Sequence, residues 1–157
     1  MPVTLPPFQS LLEAHATDLH RFLVAAVGRH DGDDLFQETL ISALRSYPGL
    51  RHADNLRGWL FTIANRKVID QARRRVRQPV PAADPPEVPQ LDGDTLVDAE
   101  LWAAVRRLPP KQRSAVVQRY LLDRPYAEIA AVIGSSEDAA RQNVRAGLQR
   151  LRQEVTR

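Results

Sequence analysis

A stretch rich in proline and acidic side chains divides this chain into two parts. The segment RQPVPAADPPEVPQLDGDT, from Arg77 to Thr95, contains five prolines and no periodic apolar pattern. Proline fixes φ and lacks a backbone donor, so neither a helix nor a strand is expected to run through it. We therefore predict a flexible linker at 78–95 between an amino-terminal domain at 1–77 and a carboxy-terminal domain at 96–157, and we expect the two domains to move independently.

Apolar residues on both sides of this linker recur at the spacing of a helix. Phe8–Val27 carries one apolar stripe that ends at Gly28, and the next helix is predicted to stop at the breaker Tyr47-Pro48-Gly49. Asp31 and Asp33 are its candidate N-caps. The carboxy-terminal part predicts helices at 96–108, 111–122 and 126–133, and from 136 to the end. No segment alternates like a half-buried strand, so the predicted fold class is all-α, with two small helical domains.

Charge is distributed unevenly along the chain. Residues Leu56–Arg77 include seven basic side chains and one acid, whereas Gln78–Glu100 includes six acids and no base. Such segregation favours a basic surface for a polyanion. The alternative is a solvated helix face followed by a solvated linker.

Composition excludes several kinds of chemistry. The chain has no cysteine, and its four histidines, His15, His20, His30 and His52, show no metal-ligand spacing. No Ser/His/Asp set, paired carboxylates or phosphate-binding loop is evident, so we expect neither an enzyme nor a bound metal or cofactor. The first residues lack a targeting pattern and no apolar run approaches a membrane span, which predicts a cytoplasmic chain without membrane insertion.

The segment GWLFTIANRKVIDQARRR predicts a helix with two different sides, capped by Asp54 or Asn55. Its apolar side begins with Trp59 and Leu60. Its polar side has a row of residues at spacings of three and four, which we call the cationic ridge: Thr62, Arg66, Asp70, Arg73 and Arg77, flanked by Lys67 and Arg74. A ridge of this length can follow a nucleic-acid backbone, although an ordinary surface helix is the alternative. Asn65 is predicted to point away from the ridge.

The last two predicted helices are joined only by Gly134 and Ser135, the layout of a helix-turn-helix, with the small residue Ala130 at the helix crossing. The buried stripe of the final helix is predicted to be Ala140, Val144, Leu148, Leu151 and Val155. Its opposite face carries Arg141, Gln142 and Arg145, and these side chain types can read guanine and adenine in a major groove. Glu137 and Asp138 are interpreted as capping residues.

These motifs resemble those of a known family. DGDDLFQETLISALRSY is similar to the D-x-x-D-L-x-Q-E motif of region 2.2 in sigma-70-type factors, and LRGWLFTIANRKVIDQARRR resembles their regions 2.3 and 2.4. The segment LPPKQRSAVVQRYLLDRPYAEIAAVIGSSEDAARQNVRAGLQRLR resembles region 4. The matching blocks occur in the family's order around a linker. Since counterparts of regions 1.1 and 3 are not found, the resemblance is to the extracytoplasmic-function (ECF) group.

The resemblance implies three binding surfaces. The beta-prime clamp helices of core RNA polymerase would contact Asp34, Leu35, Gln37, Glu38 and Ile41. The minus-ten element would be captured by a loop and held by the helix behind it, through Asp54, Asn55, Arg57, Arg66, Lys67, Arg73 and Arg74. The minus-thirty-five element would be contacted by Ser136, Arg141, Gln142 and Arg145. Region 4 would also contact the polymerase beta flap, and a cognate anti-sigma factor would cover these faces.

Two positions depart from the family's usual pattern. Asn65 followed by Arg66 reverses the usual arginine-asparagine order, and Gln142-Asn143 replaces a frequent serine-arginine pair. The function implied is a promoter-specificity subunit that directs core polymerase and helps to open the minus-ten region. The alternatives are a self-sufficient helix-turn-helix regulator whose amino-terminal domain dimerises, and a helical adaptor without a role on DNA.

Overall fold

The computed structural model of this chain describes residues 3–77 and 96–155, and the predicted linker at 78–95 lies outside them. Within these ranges the chain forms helices and no strand, which confirms the all-α prediction. None of the described helices combines the length and the apolar character needed to cross a bilayer. The helices are α1 (Phe8–Val27), α2 (Arg29–Ser46), a 3-10 turn (Tyr47–Gly49), α3 (Leu56–Arg77), α4 (Leu96–Arg107), α5 (Pro110–Tyr120), α6 (Tyr126–Ile133) and α7 (Glu137–Val155).

A single glycine separates α1 from α2. Gly28 has φ of +94°, its N–H donates to the Val24 carbonyl at 2.9 Å, and its own carbonyl accepts from Gly32 at 2.7 Å. Because Gly28 begins the second helix as well as ending the first, α2 starts at Arg29. The prediction that Asp31 or Asp33 caps α2 was therefore wrong, since both lie inside the helix.

These two acids make ion pairs instead. Asp31 contacts Arg75 near the end of α3, and Asp33 lies 2.6 Å from the ring of His20 on α1. Each pair links α2 to a neighbouring helix. The acidic start of α2 thus contributes to helix packing, in addition to its favourable position at the positive end of the helix dipole.

The amino-terminal core lies where α1, α2 and α3 meet. Its fully buried side chains share the three-four spacing on their own helices: Leu19, Phe22 and Leu23 from α1, Leu35 and Ala43 from α2, and Leu60, Ala64 and Val68 from α3. Burial at this spacing on each helix is the pattern that stabilises an amphipathic bundle.

The carboxy-terminal helices form the predicted helix-turn-helix. Gly134 ends α6 in the left-handed region at φ of +70°, and the next N–H donates to the Ala130 carbonyl at 2.9 Å. Ala130 packs with Ala140 and Val144 in a small second cluster, as expected for a crossing point. Of the predicted α7 stripe, Leu148 is only half-buried and Val155 is exposed.

Ser136, rather than the acids after it, caps α7. Its hydroxyl accepts from the Ala139 N–H at 3.1 Å. The interpretation of Glu137 and Asp138 as caps was therefore wrong, because they lie in the first helical turn, where both contact Arg141. They remain well placed for the helix dipole.

The two halves of the chain share one core. The main cluster joins Phe22 and Leu60 of the first half to Val105, Leu108 and other residues of the second. Arg113 of α5 donates to the Ala26 carbonyl at 3.0 Å, at the carboxyl end of α1. In this conformation the two halves pack against each other, and the expectation that they move independently in solution stays a prediction.

We predict that Gly32→Ala destabilises the fold by about 1–3 kcal/mol, because α1 and α2 approach closely at this point. A Cβ at residue 32 would lie 2.9 Å from the Cα of Val24, which is backbone and cannot move aside alone. Urea unfolding followed by circular dichroism measures the change. The matched control is Gly49→Ala, where an added Cβ meets nothing within 4 Å; equal losses in both variants would contradict the packing argument.

We also predict that stability falls with acidification through His15. Its pKa is lowered from 6.5 mainly by burial, then by the nearby guanidinium groups of Arg57 and Arg124, while Asp18 acts in the opposite direction. The unfolded chain therefore binds this proton more readily than the folded chain. The contribution is fully present above pH 6.5 and is lost as the pH falls through the lower pKa of the folded state.

Urea titrations between about pH 7.5 and about pH 5.5 test this dependence. His15→Gln is expected to make the free energy of unfolding less dependent on pH across that window. The same change at the exposed His52 provides the control, and an unaltered pH slope in His15→Gln would refute the assignment.

Candidate polymerase and nucleic-acid interfaces

The outer face of α2 mixes acidic, amide and apolar side chains. The predicted contact residues Asp34, Gln37, Glu38 and Ile41 are all exposed there, and Ile41 has half of its surface accessible. These residues lie opposite the buried stripe of α2. Packing of that stripe in the core therefore leaves their face exposed to solvent. A surface that combines apolar area with a polar rim is suited to protein binding.

Leu35 does not belong to this exposed face. Only 3% of its surface is accessible, because it packs in the core shared with α1 and α3. The prediction that Leu35 contacts the polymerase is therefore corrected to a structural role. Its side chain contributes to the wall of a surface cleft of about 230 Å³ between α2 and α3, lined also by Asp31, Asp34, Glu38, Gln71, Arg74 and Arg75.

Leu44 was missed by the sequence analysis and extends the apolar part of this face. It is 57% exposed and lies three residues after Ile41, so the two side chains are neighbours on α2. In the sequence, Leu44 falls outside the buried stripe of α2, and this position was the available sign that its side chain is exposed. An exposed pair of large apolar residues beside charged ones is a stronger indication of a docking surface than either residue alone.

The amino-terminal turns of α2 bring together three side chains that resemble metal ligands. Potential ligand atoms of His30, Asp31 and Asp34 lie within 4.8 Å of one another. The histidines are scattered along the sequence, but His30 lies on the same helix as these two acids, at a spacing that is visible in the sequence. Asp31 already contacts Arg75, and His30 lies 3.9 Å from Asp34, so the arrangement is that of a surface ion-pair cluster.

The loop before α3 and the first turn of that helix contain three predicted minus-ten residues, and they differ in their surroundings. Asp54 is exposed to solvent. Asn55 is the helix cap, since its side-chain oxygen accepts from the Gly58 N–H at 2.9 Å. Arg57 is half-buried and forms an ion pair with Glu128 of α6 in the other half of the chain.

The cationic ridge is exposed as the sequence predicts. Arg66, Arg73 and Arg74 are open to solvent, and Lys67 is half-buried at the flank. Arg75, on the neighbouring arc, is already paired with Asp31. The ridge therefore presents cations along several turns of one helix, an arrangement that suits a row of phosphates.

Asn65 points away from the ridge, as predicted. It is 3% exposed, and its side-chain oxygen has no hydrogen-bond partner among the described residues. Arg66 occupies the outward position beside it. A buried asparagine cannot reach a base edge, so this part of α3 offers charge rather than an amide for sequence readout.

The recognition helix α7 presents Arg141, Gln142 and Arg145 to solvent. Arg141 is held by the first-turn acids, with one guanidinium nitrogen 3.1 Å from Asp138 and another 3.8 Å from Glu137. Ser136, predicted as a minus-thirty-five residue, has its hydroxyl engaged in the cap.

Two tyrosines beside this helix were not predicted. Tyr126 has the guanidinium carbons of Arg119 and Arg141 at 4.5 and 5.1 Å from its ring centre, and Tyr120 is 62% exposed. Both line a cavity of about 460 Å³ along α7, together with Arg145, Gln149 and Arg152. Aromatic rings among arginines are common in nucleic-acid surfaces, and the sequence hint was their position at the ends of α5 and α6.

Comparisons with known proteins agree with this geometry. Residues 11–78 match the family model for sigma-70 region 2, and residues 98–151 match the model for sigma-70 region 4. The first match contains α2 and the cationic ridge. The second contains the helix-turn-helix.

Individual relatives carry the same assignment. The chain is 34% identical over 160 residues to the ECF RNA polymerase sigma factor SigE of Mycolicibacterium smegmatis, covering 94% of this chain and 61% of SigE. It is 32% identical over 150 residues to the ECF RNA polymerase sigma factor EcfG of Rhodopseudomonas palustris, covering 92% of this chain and 82% of EcfG. The chain thus spans less than two thirds of SigE but most of EcfG.

A solved structure has the same fold. The sigma factor RpoE of Bartonella quintana, crystallised with the anti-sigma factor NepR, superposes with a TM-score of 0.78 at 23% identity, covering 95% of this chain and 96% of that one. The ordered pair of region models, the level of identity to EcfG and the shared fold lead to one conclusion: this chain belongs to the ECF group of the sigma-70 family.

Proposed function

We propose that this chain is a promoter-specificity subunit that binds core RNA polymerase, directs it to particular promoters and helps to open the minus-ten region. The observation that carries the proposal is the cationic ridge of α3, exposed on the same domain as the acidic and apolar face of α2. A protein-binding face and a nucleic-acid face on one small domain match a factor that connects polymerase to DNA. The recognition helix in the other half supplies a second DNA contact.

In this proposal polymerase docks on the outer face of α2. Ile41 and Leu44 supply the apolar area, and Asp34, Gln37 and Glu38 supply polar contacts to the beta-prime clamp helices. Apolar anchors inside a polar rim are where interface energy concentrates. The beta flap would contact the second half of the chain.

At the minus-ten element, the loop before α3 and the ridge behind it have different tasks. Asp54 in the loop and Arg57 in the first turn of α3 offer polar groups for a flipped base, while Asn55 holds the loop by capping α3. The exposed cations at Arg66, Arg73 and Arg74 hold the strand through phosphates. Because Asn65 is buried, we assign most of the sequence reading to the loop and most of the grip to the helix.

At the minus-thirty-five element, α7 would enter the major groove with Arg141, Gln142 and Arg145 facing the bases. Arg141 carries a charge that the acids of its own turn partly neutralise, and it would exchange those acids for a base edge on binding. Ser136 caps the start of this helix.

The chemistry of transcription would belong to the polymerase and none of it to this chain. We also propose that the chain acts in the cytoplasm and has a cognate anti-sigma factor. This partner is supported by the RpoE structure, which contains one. The competing function is a helix-turn-helix regulator that binds DNA without polymerase. That function does not account for the exposed acidic and apolar face of α2.

The proposal predicts promoter-specific transcripts from the purified chain combined with core polymerase on fragmented genomic DNA, and none above background from either component alone. Run-off transcription followed by sequencing is the measurement. A footprint that the chain makes without polymerase would support the regulator instead. Transcripts no more frequent than with core polymerase alone would refute the proposal.

For the ridge, we predict that Arg73→Ala combined with Arg74→Ala weakens open-complex formation and flattens its dependence on salt. Each lost contact to a single-stranded phosphate lowers the slope of log affinity against log salt by about 0.7, so two contacts give about 1.4. Open complexes are counted by permanganate footprinting over a salt series.

The charge-matched control removes two cations away from the ridge, with Arg21→Ala and Lys111→Ala, both exposed. This variant should keep the wild-type slope. If the ridge variant keeps it too, the ridge is ordinary surface and the minus-ten assignment of these two arginines fails.

A further inference from the structure

We propose that Tyr126 is a positioning residue for the minus-thirty-five element, because its ring fixes the Arg141 guanidinium in the orientation that reads a base. The inference rests on the proposed function, since it takes Arg141 as a base-reading residue. It adds a determinant of promoter specificity that lies outside the recognition helix. Tyr126 acts through Arg141 and does not need to touch DNA itself.

The ring of Tyr126 lies beside the side chain that reads the base. Tyr126 is the first residue of α6, and its ring centre is 5.1 Å from the guanidinium carbon of Arg141, in the second turn of α7. A cation within about 6 Å of an aromatic ring is attracted by the quadrupole of that ring. The two helices of the helix-turn-helix are therefore joined at the reading face as well as at their glycine turn.

The ring is itself held in place. Tyr126 packs against the second cluster, the one that contains Ala130. The guanidinium carbon of Arg119 lies 4.5 Å from the ring centre, and Arg119 donates to the Arg124 carbonyl at 3.1 Å. Apolar packing and a second cation thus fix the ring, so that it orients Arg141 rather than following it.

The acids of the first α7 turn restrain the same guanidinium from its own helix. One Arg141 nitrogen lies 3.1 Å from Asp138 and another 3.8 Å from Glu137. In the proposed function these acids are exchanged for a base edge. An aromatic ring makes a different contact, because it stacks on the flat face of a guanidinium while the N–H groups point outward in its plane. Tyr126 can therefore keep its contact when DNA replaces the acids.

A restrained arginine reads a base more selectively than a mobile one. Arg141 has 51% of its side chain exposed, so a restraint from a second helix removes rotamers that solvent would otherwise allow. A side chain that is already ordered loses less conformational entropy on binding. A fixed guanidinium also presents its donors to guanine in one orientation, whereas a mobile one adjusts to other bases. The ring should therefore affect base preference more than total affinity.

The cavity along α7 places this pair at the reading surface. Tyr126 and Arg141 both line that cavity of about 460 Å³, and so does Arg145, another residue assigned to base reading. Tyr120 lines it from the end of α5 and is 62% exposed. Removing one ring or the other therefore distinguishes the positioning of Arg141 from a general effect of aromatic surface.

The experiment measures base preference at each position of the minus-thirty-five element. The full-length chain and core polymerase are mixed with a promoter found by run-off transcription, in which this element is randomised, and bound and free DNA are sequenced. Arg141→Ala first identifies the base pair that Arg141 reads, as the position where preference disappears. Tyr126→Leu keeps an apolar side chain against the cluster. It should reduce preference at that base pair by about two- to fivefold, the factor of an exposed cation–π contact.

Two further variants test whether the ring acts through Arg141. Tyr126→Phe keeps the ring and removes the hydroxyl, so it should retain the wild-type preference. Tyr126→Leu combined with Arg141→Ala should have the same preferences as Arg141→Ala alone, since no guanidinium remains to be positioned. The matched control, Tyr120→Leu, removes the other ring of the cavity and should leave the preference at that base pair unchanged.

A measurement without DNA tests the contact itself. In the NMR spectrum of the free chain, Tyr126→Leu should shift the Arg141 Nε–H resonance and lower its heteronuclear NOE. The ring current is lost in this variant and the guanidinium becomes more mobile on the fast timescale that the NOE reports. Tyr126→Phe should preserve both values. Far-UV circular dichroism checks that the helices are intact in every variant.

The results separate the two proposals. If the wild-type chain gives no promoter-specific transcripts, the proposed function fails, while an altered Arg141 resonance in Tyr126→Leu still supports the ring contact. If Arg141→Ala changes no preference, or removes one that Tyr126→Leu retains, the positioning proposal is overturned. Equal losses at every position in Tyr126→Leu would also overturn it, since the effect would then come from folding. A Tyr126→Phe variant that behaves like Tyr126→Leu would do the same, because the hydroxyl would then be responsible.

Discussion

The last turn of α1 is the part of the molecule on which the remaining packing depends. Residues Phe22–Val27 are buried on every side, by α2 and α3 on one flank and by the second half of the chain on the other. At its carboxyl end, the Ala26 carbonyl accepts from Arg113, whose pKa burial lowers. A cation at the negative end of a helix satisfies carbonyls that the helix leaves without partners.

This packing brings opposite charges from the two halves together at the edge of the shared core. Arg57 meets Glu128 and Arg124 meets Asp18, each across the boundary. The surfaces assigned to polymerase and to the melted strand, on α2 and α3, face outward from the same core. In the proposed function, α3 grips DNA through its exposed cations and the loop before it reads the sequence.

Much of the fold followed from local physics. The bounds of α1 and α6, the breaker after α2 and the orientation of Asn65 were all predicted, because apolar period and turn residues act over a few positions. The caps of α2 and α7 were assigned wrongly, since Gly28 serves two helices and Ser136 precedes the acids. Leu35 was assigned to the polymerase contact because it belongs to the D-x-x-D-L-x-Q-E motif. That motif contains both core and surface positions, and the family pattern does not distinguish between them.

The amino-acid sequence by itself determined the helices, the family and the placement of cations along one face of α3, since each depends on residue type and spacing. Tertiary structure alone decided that Phe61 and the whole last turn of α1 are buried, that Tyr126 lies between two arginines, and that Arg57 is paired with Glu128. These features join residues distant in the chain. No local period encodes such a contact, because its energy arises only when separate helices have already packed.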